Sequence, residues 1–70
     1  MRYRDVARRL HELGCVELRE GKGSHRVWRN PTTGARTTLP DWGGKDLAPG
    51  TVRTAIRELG LSRREFGPIK

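Results

Sequence analysis

The chain has 70 residues, a third of them apolar, with fifteen Lys and Arg against eight Asp and Glu for a formal charge of +7 and a pI near 11. That length carries one domain (1–70) and one core; the single cysteine excludes an intramolecular disulfide, and no apolar run suits a signal peptide or a membrane span. Such a positive field on so small a surface draws polyanions, and nucleic acid fits better than an anionic membrane because neither helix below has a large exposed apolar face.

In chain order, Tyr3, Val6, Ala7, Leu10 and Leu13 recur at helical spacing and predict a helix over 3–13, with Gly14 as its stop. Arg4, Arg8 and His11 line one flank; Arg2 and Arg9 project from the other side. His11 reads as a flank residue rather than a second catalytic group. The period then changes to two: Val16 and Leu18 alternate with Cys15, Glu17 and Arg19, the pattern of a half-buried strand. Cys15 reads as a small buried hydrophobe at the strand's start, and a lone thiol suits a reducing cytoplasm. Glu20 to Gly23 make a turn, a second strand runs from Ser24 to about Asn30, and Pro31-Thr32-Thr33-Gly34 is the next turn. A third strand covers about Arg36 to Leu39. After the breaker-rich loop Pro40 to Asp46, Pro49 opens a second helix whose stripe is Val52, Ala55, Ile56 and Leu59, ended by Gly60. Ser62 is placed to cap a last short turn, Arg63 to Phe66. The order is α-β-β-β-α, an α+β domain: a three-stranded antiparallel meander with two helices on one face and the other face open.

The chemistry concentrates in Gly21-Lys22-Gly23-Ser24-His25-Arg26-Val27-Trp28-Arg29. Histidine takes and gives a proton near neutral pH, and Lys22, Arg26 and Arg29 are cations suited to a phosphodiester. A proton carrier beside phosphate-binding cations is what RNA strand cleavage needs: a base for the 2′-hydroxyl, charge stabilisation at phosphorus, and a proton for the leaving 5′-oxygen. A histidine in this place is otherwise a structural residue at a strand edge, and Lys22 is otherwise a solubilising turn residue. Ser24 suits orientation of the histidine or of a phosphate oxygen; no relay accompanies it for a nucleophilic role. Alternation groups His25 with Val27 and Arg29, and Ser24 with Arg26 and Trp28, leaving open which set faces the helices. Trp28 reads as core before base platform. Trp42, in its glycine-flanked loop, reads equally as a plug at the core edge or as a nucleotide stack. Arg53 and Arg57 supply either an RNA-binding helix flank or a solvated face. One cysteine, two distant histidines and scattered carboxylates offer no metal-ligand spacing, so neither metal nor cofactor is expected.

Lys22-Gly23-Ser24-His25 entering the second strand, Leu47-Ala48-Pro49-Gly50-Thr51-Val52-Arg53 opening the second helix, and Leu61-Ser62-Arg63-Arg64-Glu65-Phe66 at the end together resemble the HicA (YcfA-like) family of toxin–antitoxin ribonucleases. The resemblance implies a double-stranded-RNA-binding-like fold, metal-free cleavage of mRNA in the cytoplasm, and silencing by a HicB-type antitoxin. It also implies His25 as the catalytic histidine; Lys22, Ser24, Arg26, Arg29 and Arg53 are, from their charge and position, the expected RNA and phosphate contacts. The chain departs from the pattern at Gly14-Cys15, at Arg26 after the histidine, and at Asp41-Trp42-Gly43-Gly44 before the second helix. The competing expectations are a noncatalytic RNA-binding module of the same fold, which would not need His25, and a basic adaptor for an acidic protein.

Overall fold

Tyr3, Val6 and Leu10 share one buried stripe, and this stripe makes α1 (Tyr3–Glu12) a packed helix rather than a solvated one. Its first turn is closed by Asp5, whose carboxylate accepts from the Arg2 N–H at 3.0 Å. That bond holds the Asp5 carboxyl below the usual carboxylate range. The helix stops where Gly14, at φ +88°, donates to the His11 carbonyl at 3.0 Å and Cys15 donates to Leu10 at 2.9 Å. Helix α2 (Pro49–Glu58) stops in the same way: Gly60, at φ +72°, donates to Arg57 and Leu61 to Ile56, both at 3.0 Å. The left-handed glycine after each helix lets the chain satisfy two late carbonyls and turn back onto the core.

The computed structural model describes residues 1–19 and 22–69, so Glu20 and Gly21 of the expected first turn lie outside the described residues. Strands β1 (Val16–Leu18), β2 (His25–Arg29) and β3 (Arg36–Pro40) form an antiparallel sheet in that order, with β2 central. The register sets Val16 opposite Arg29 and Leu18 opposite Val27 on one side, and His25 opposite Pro40 and Arg29 opposite Arg36 on the other. Trp28, Thr37 and Leu39 are buried, so their face packs against the helices. His25, Val27 and Arg29 therefore share the open face, and this settles the alternation that the residue pattern left undecided. Val16 and Leu18 keep the expected period, but they too lie on the open side, Val16 being exposed. The reason is Cys15: tied to Leu10 by the helix stop, it occupies the buried position at 1% exposure, and every following residue takes its side from it.

The core joins Val6 and Leu10 of α1, Trp28 and Leu39 of the sheet, and Val52, Ile56 and Leu59 at α2. Two polar links cross it. The Trp28 Nε1–H donates to the Tyr3 hydroxyl at 3.1 Å, and that hydroxyl donates to Glu17 Oε1 at 2.6 Å. Burial first, and then the Glu17 bond, push the Tyr3 phenol well above its usual range. At the far end of β2, buried Asn30 donates from Nδ2 to the Leu59 carbonyl at 2.8 Å, and its Oδ1 accepts from the Thr32 N–H at 3.1 Å. The expected last turn is α3 (Arg63–Phe66), capped by Ser62, which accepts from the Glu65 N–H at 3.0 Å while Glu65 accepts from the Ser62 N–H at 3.1 Å. Arg9 holds this turn down, with its guanidinium 5.2 Å from the Phe66 ring centre and donating to the carbonyls of Phe66 and Pro68.

The path of the chain gathers several starts at one end of the sheet. β3 finishes at Pro40 opposite His25, and the next loop runs to Asp46, which bridges to Arg2, while the Leu47 N–H bonds the Met1 carbonyl at 2.7 Å. The beginnings of β2, α1 and α2 thus lie together, and Asn30 with the end of α2 marks the opposite end.

Candidate functional site

His25 is the first residue of the central strand, and its side chain is exposed. β1 ends at Leu18 opposite Val27, and among the described residues the strand partner at the level of His25 is Pro40 of β3. The histidine's backbone is fixed: its N–H donates to the Lys22 carbonyl at 3.0 Å, and the neighbouring Ser24 carbonyl accepts from Asp41 N–H at 2.6 Å. An exposed imidazole on a held backbone can accept a proton from a ligand without the fold having to open.

Lys22 and Ser24 sit in the same turn and are both exposed. Gly23 between them adopts φ +59° with open space around its Cβ position, so the turn presents backbone and short side chains to solvent. Arg26 follows directly, but alternation sends it to the helix side. There its Nη1 donates to the Gly23 carbonyl at 3.3 Å and its Nε lies 3.8 Å from Asp41 Oδ2. Asp41 in turn accepts at Oδ1 from the Gly43 N–H at 3.0 Å. Arg26 thus ties the histidine turn to the loop after β3, and its five-donor fork leaves further N–H groups for an anion.

Arg29 shares the open face with His25 but lies four residues along the strand, roughly 13 Å away at the rise of a β-strand. It stands opposite Arg36, a pairing that requires the register and is invisible in the residue pattern. Arg53 is exposed in the second turn of α2, in the helix layer, on the other side of the sheet from the imidazole. The structure therefore brings Lys22, Ser24, His25 and Arg26 to one end, sets Arg29 further up the same face as His25, and leaves Arg53 behind the sheet.

Sequence reasoning missed the cations that the topology adds to the His25 end. Arg2 and Arg4, at the start of α1, line a surface depression with Asp41, Gly43 and Gly44, and Lys45 lines a second one with Trp42. The available signal was the up-and-down order of elements, which returns the loop after β3 to the start of α1. His11 is near the last turn of α1, about 12 Å up the helix from Tyr3 and away from this end. Cys15 is buried and its thiol is pushed up by burial, so it is inert here. Among the described residues no three His, Cys, Asp or Glu side chains come together as metal ligands, and no helix is long and apolar enough to cross a membrane.

A family model described as the HicA toxin of bacterial toxin–antitoxin matches residues 3–61, a span that includes the histidine turn, the loop after β3 and α2. A protein of Pseudomonas fluorescens (strain Pf0-1), called a probable mRNA interferase HicA, is 36% identical over 61 residues, covering 87% of this chain and 97% of that relative. No solved structure matches.

Proposed function

Since the chain belongs to the HicA family of toxins from bacterial toxin–antitoxin systems, we propose that it is an endoribonuclease that cleaves mRNA with His25 as its proton-transfer group. The observation that carries this reading is the exposed imidazole on a fixed backbone, at an end of the molecule lined by Lys22, Arg26 and the start of α1. His25 takes the proton from a 2′-hydroxyl, whose oxygen attacks the adjacent phosphorus. A 2′,3′-cyclic phosphate forms and the 5′-oxygen leaves. Lys22, exposed in the same turn, stabilises the charge that builds on the non-bridging oxygens, and Arg26, on the helix side, ties that turn to Asp41. The departing 5′-oxygen requires a proton from a second donor. Tyr3 does not serve, because its phenol is already bonded to Glu17 and Trp28 behind the sheet. Water and the exposed Lys22 ammonium are both at hand.

The chemistry uses the substrate's own hydroxyl as nucleophile and calls on no metal. The partner that silences it is an acidic antitoxin of HicB type, drawn by the +7 charge to the His25 end, where it shuts out RNA. Digestion of RNA in excess chelator tests the reaction. The expected products carry 5′-hydroxyl and 2′,3′-cyclic phosphate ends, and a strand with deoxyribose at the cut site survives. Loss of cleavage in chelator that added Mg²⁺ restores would overturn it, and binding without cleavage under any condition would identify a noncatalytic RNA-binding module.

A further inference from the structure

We propose that Trp42 is a stacking platform for an unpaired RNA base next to the His25 centre; the inference deepens the RNA-cleaving reading above and rests on it. The chain has four aromatic Phe, Tyr and Trp residues. Tyr3, Trp28 and Phe66 are all buried, at 8%, 4% and 3% exposure, whereas Trp42 is 49% exposed. It does not plug the core. An exposed aromatic ring offers a flat apolar face with a polar N–H at its edge to a stacking partner.

The ring's place in the fold says which occupant. Trp42 is two residues beyond Pro40, the β3 partner of His25. Its loop is held on both sides. Asp41 donates its N–H to the Ser24 carbonyl at 2.6 Å, accepts from Gly43 N–H at 3.0 Å and faces Arg26 at 3.8 Å, while the Lys45 N–H bonds the Trp42 carbonyl at 3.3 Å. The same carboxylate that shapes the Trp42 turn also faces the arginine following His25, so the backbone that carries the ring is tied to the backbone that carries the imidazole. Lys45 lines the depression beside the ring, and Arg2 and Arg4 line the next one across Gly43 and Gly44. One exposed aromatic face among cations that can follow a phosphate backbone is the arrangement single-stranded nucleic acid uses.

A protein-docking hot spot needs a contiguous apolar patch around its anchor. Among the described residues the other large apolar side chain that stands exposed is Val16, and it lies opposite Arg29, toward the far end of the sheet from the loop. No second large exposed apolar side chain is thus shown beside Trp42, and the cations at its edge favour a base of a charged strand as its occupant.

The test uses the full chain and two uncleavable probes: a short single-stranded RNA methylated at every 2′-oxygen, and the same backbone with no bases. Removing the bases is expected to weaken binding to the wild type by roughly 5- to 100-fold, the worth of one stacked base. Trp42→Ala is expected to bind both probes equally, at the level of the wild type with the base-free strand, and Trp42→Phe to recover most of the difference. Binding of the RNA by Trp42→Ala at wild-type strength overturns the inference and leaves the RNA-cleaving reading standing. If that same variant then loses the cognate antitoxin, the ring belongs to a protein partner instead. No binding of either probe to the wild type, even at low salt, defeats the RNA reading itself and the inference with it.

Discussion

Asn30 joins the two layers at the end of the molecule opposite His25, and replacing it measures how much that polar link contributes. In Asn30→Ala the Leu59 carbonyl loses the Nδ2 donor at 2.8 Å, and it does so between the buried Asn30 and Leu59 positions, where water has little access. A buried acceptor left without a donor costs about 1–3 kcal/mol. The second bond, from the Thr32 N–H at 3.1 Å, opens toward solvent because Thr32 is exposed, so water replaces most of it. The expected loss is about 2 kcal/mol, which for a domain of this length lowers Tm by roughly 8–16 °C. Asn30→Asp keeps an acceptor for Thr32 but turns a carboxylate oxygen toward the Leu59 carbonyl, and is expected to destabilise at least as much. Thermal melts followed by circular dichroism read both variants. RNA cleavage well below the melting range is expected to stay at the wild-type rate, since the substitution is at the other end of β2. A Tm within about 3 °C of wild type would refute the claim that this amide holds α2 to the sheet.

Tyr3 is the chain's one tyrosine, so its ionisation can be followed by phenolate absorbance. Its folded pKa is raised by burial and the Glu17 bond, so the stability it contributes is fully present below the unfolded value near ~10 and is lost as pH rises above it; phenolate is expected to appear only together with loss of structure, and a reversible step near pH ~10 with the fold intact would contradict this. Leu39→Ala, at a position with 0% exposure, is expected to cost about 2–5 kcal/mol in urea titrations, whereas Val16→Thr on the open face stays within about 0.5 kcal/mol; equal costs would mean that the faces are wrongly assigned. RNA affinity is expected to fall with salt at a log–log slope of about −2 to −3.5, from roughly three to five phosphate contacts at about −0.7 each, and a slope near zero would assign the positive charge to another purpose.

The elements were legible because local signals and tertiary demands agree. Gly14 and Gly60 end helices where the apolar stripes end, and Ser62 caps the turn that its spacing to Glu65 announces. The direction of a strand's faces was not legible, because Val27 and Trp28 both suit burial, and the choice is made across the sheet by Thr37 and Leu39. The same blindness hid the exposure of Val16, which follows from how α1 stops. At the site, the turn carrying Lys22, Ser24 and His25 was visible as a run of residues. The engagement of Arg26 with Asp41, the distance to Arg29, the separation of Arg53 and the arrival of Arg2, Arg4 and Lys45 all depend on contacts between distant segments. No periodicity in a single chain encodes those.

The most direct test of the account is the rate of RNA cleavage by purified His25→Ala against wild type, free of host nucleases, with melting and RNA affinity measured on the same samples. His25 is exposed at the strand's start, so the variant is expected to melt as wild type does and to bind RNA comparably. Its cleavage rate is expected to fall by about 10²–10⁴-fold, the usual contribution of one positioned proton carrier. Cleavage by a folded His25→Ala at the wild-type rate would contradict the assignment of the imidazole as the catalytic group.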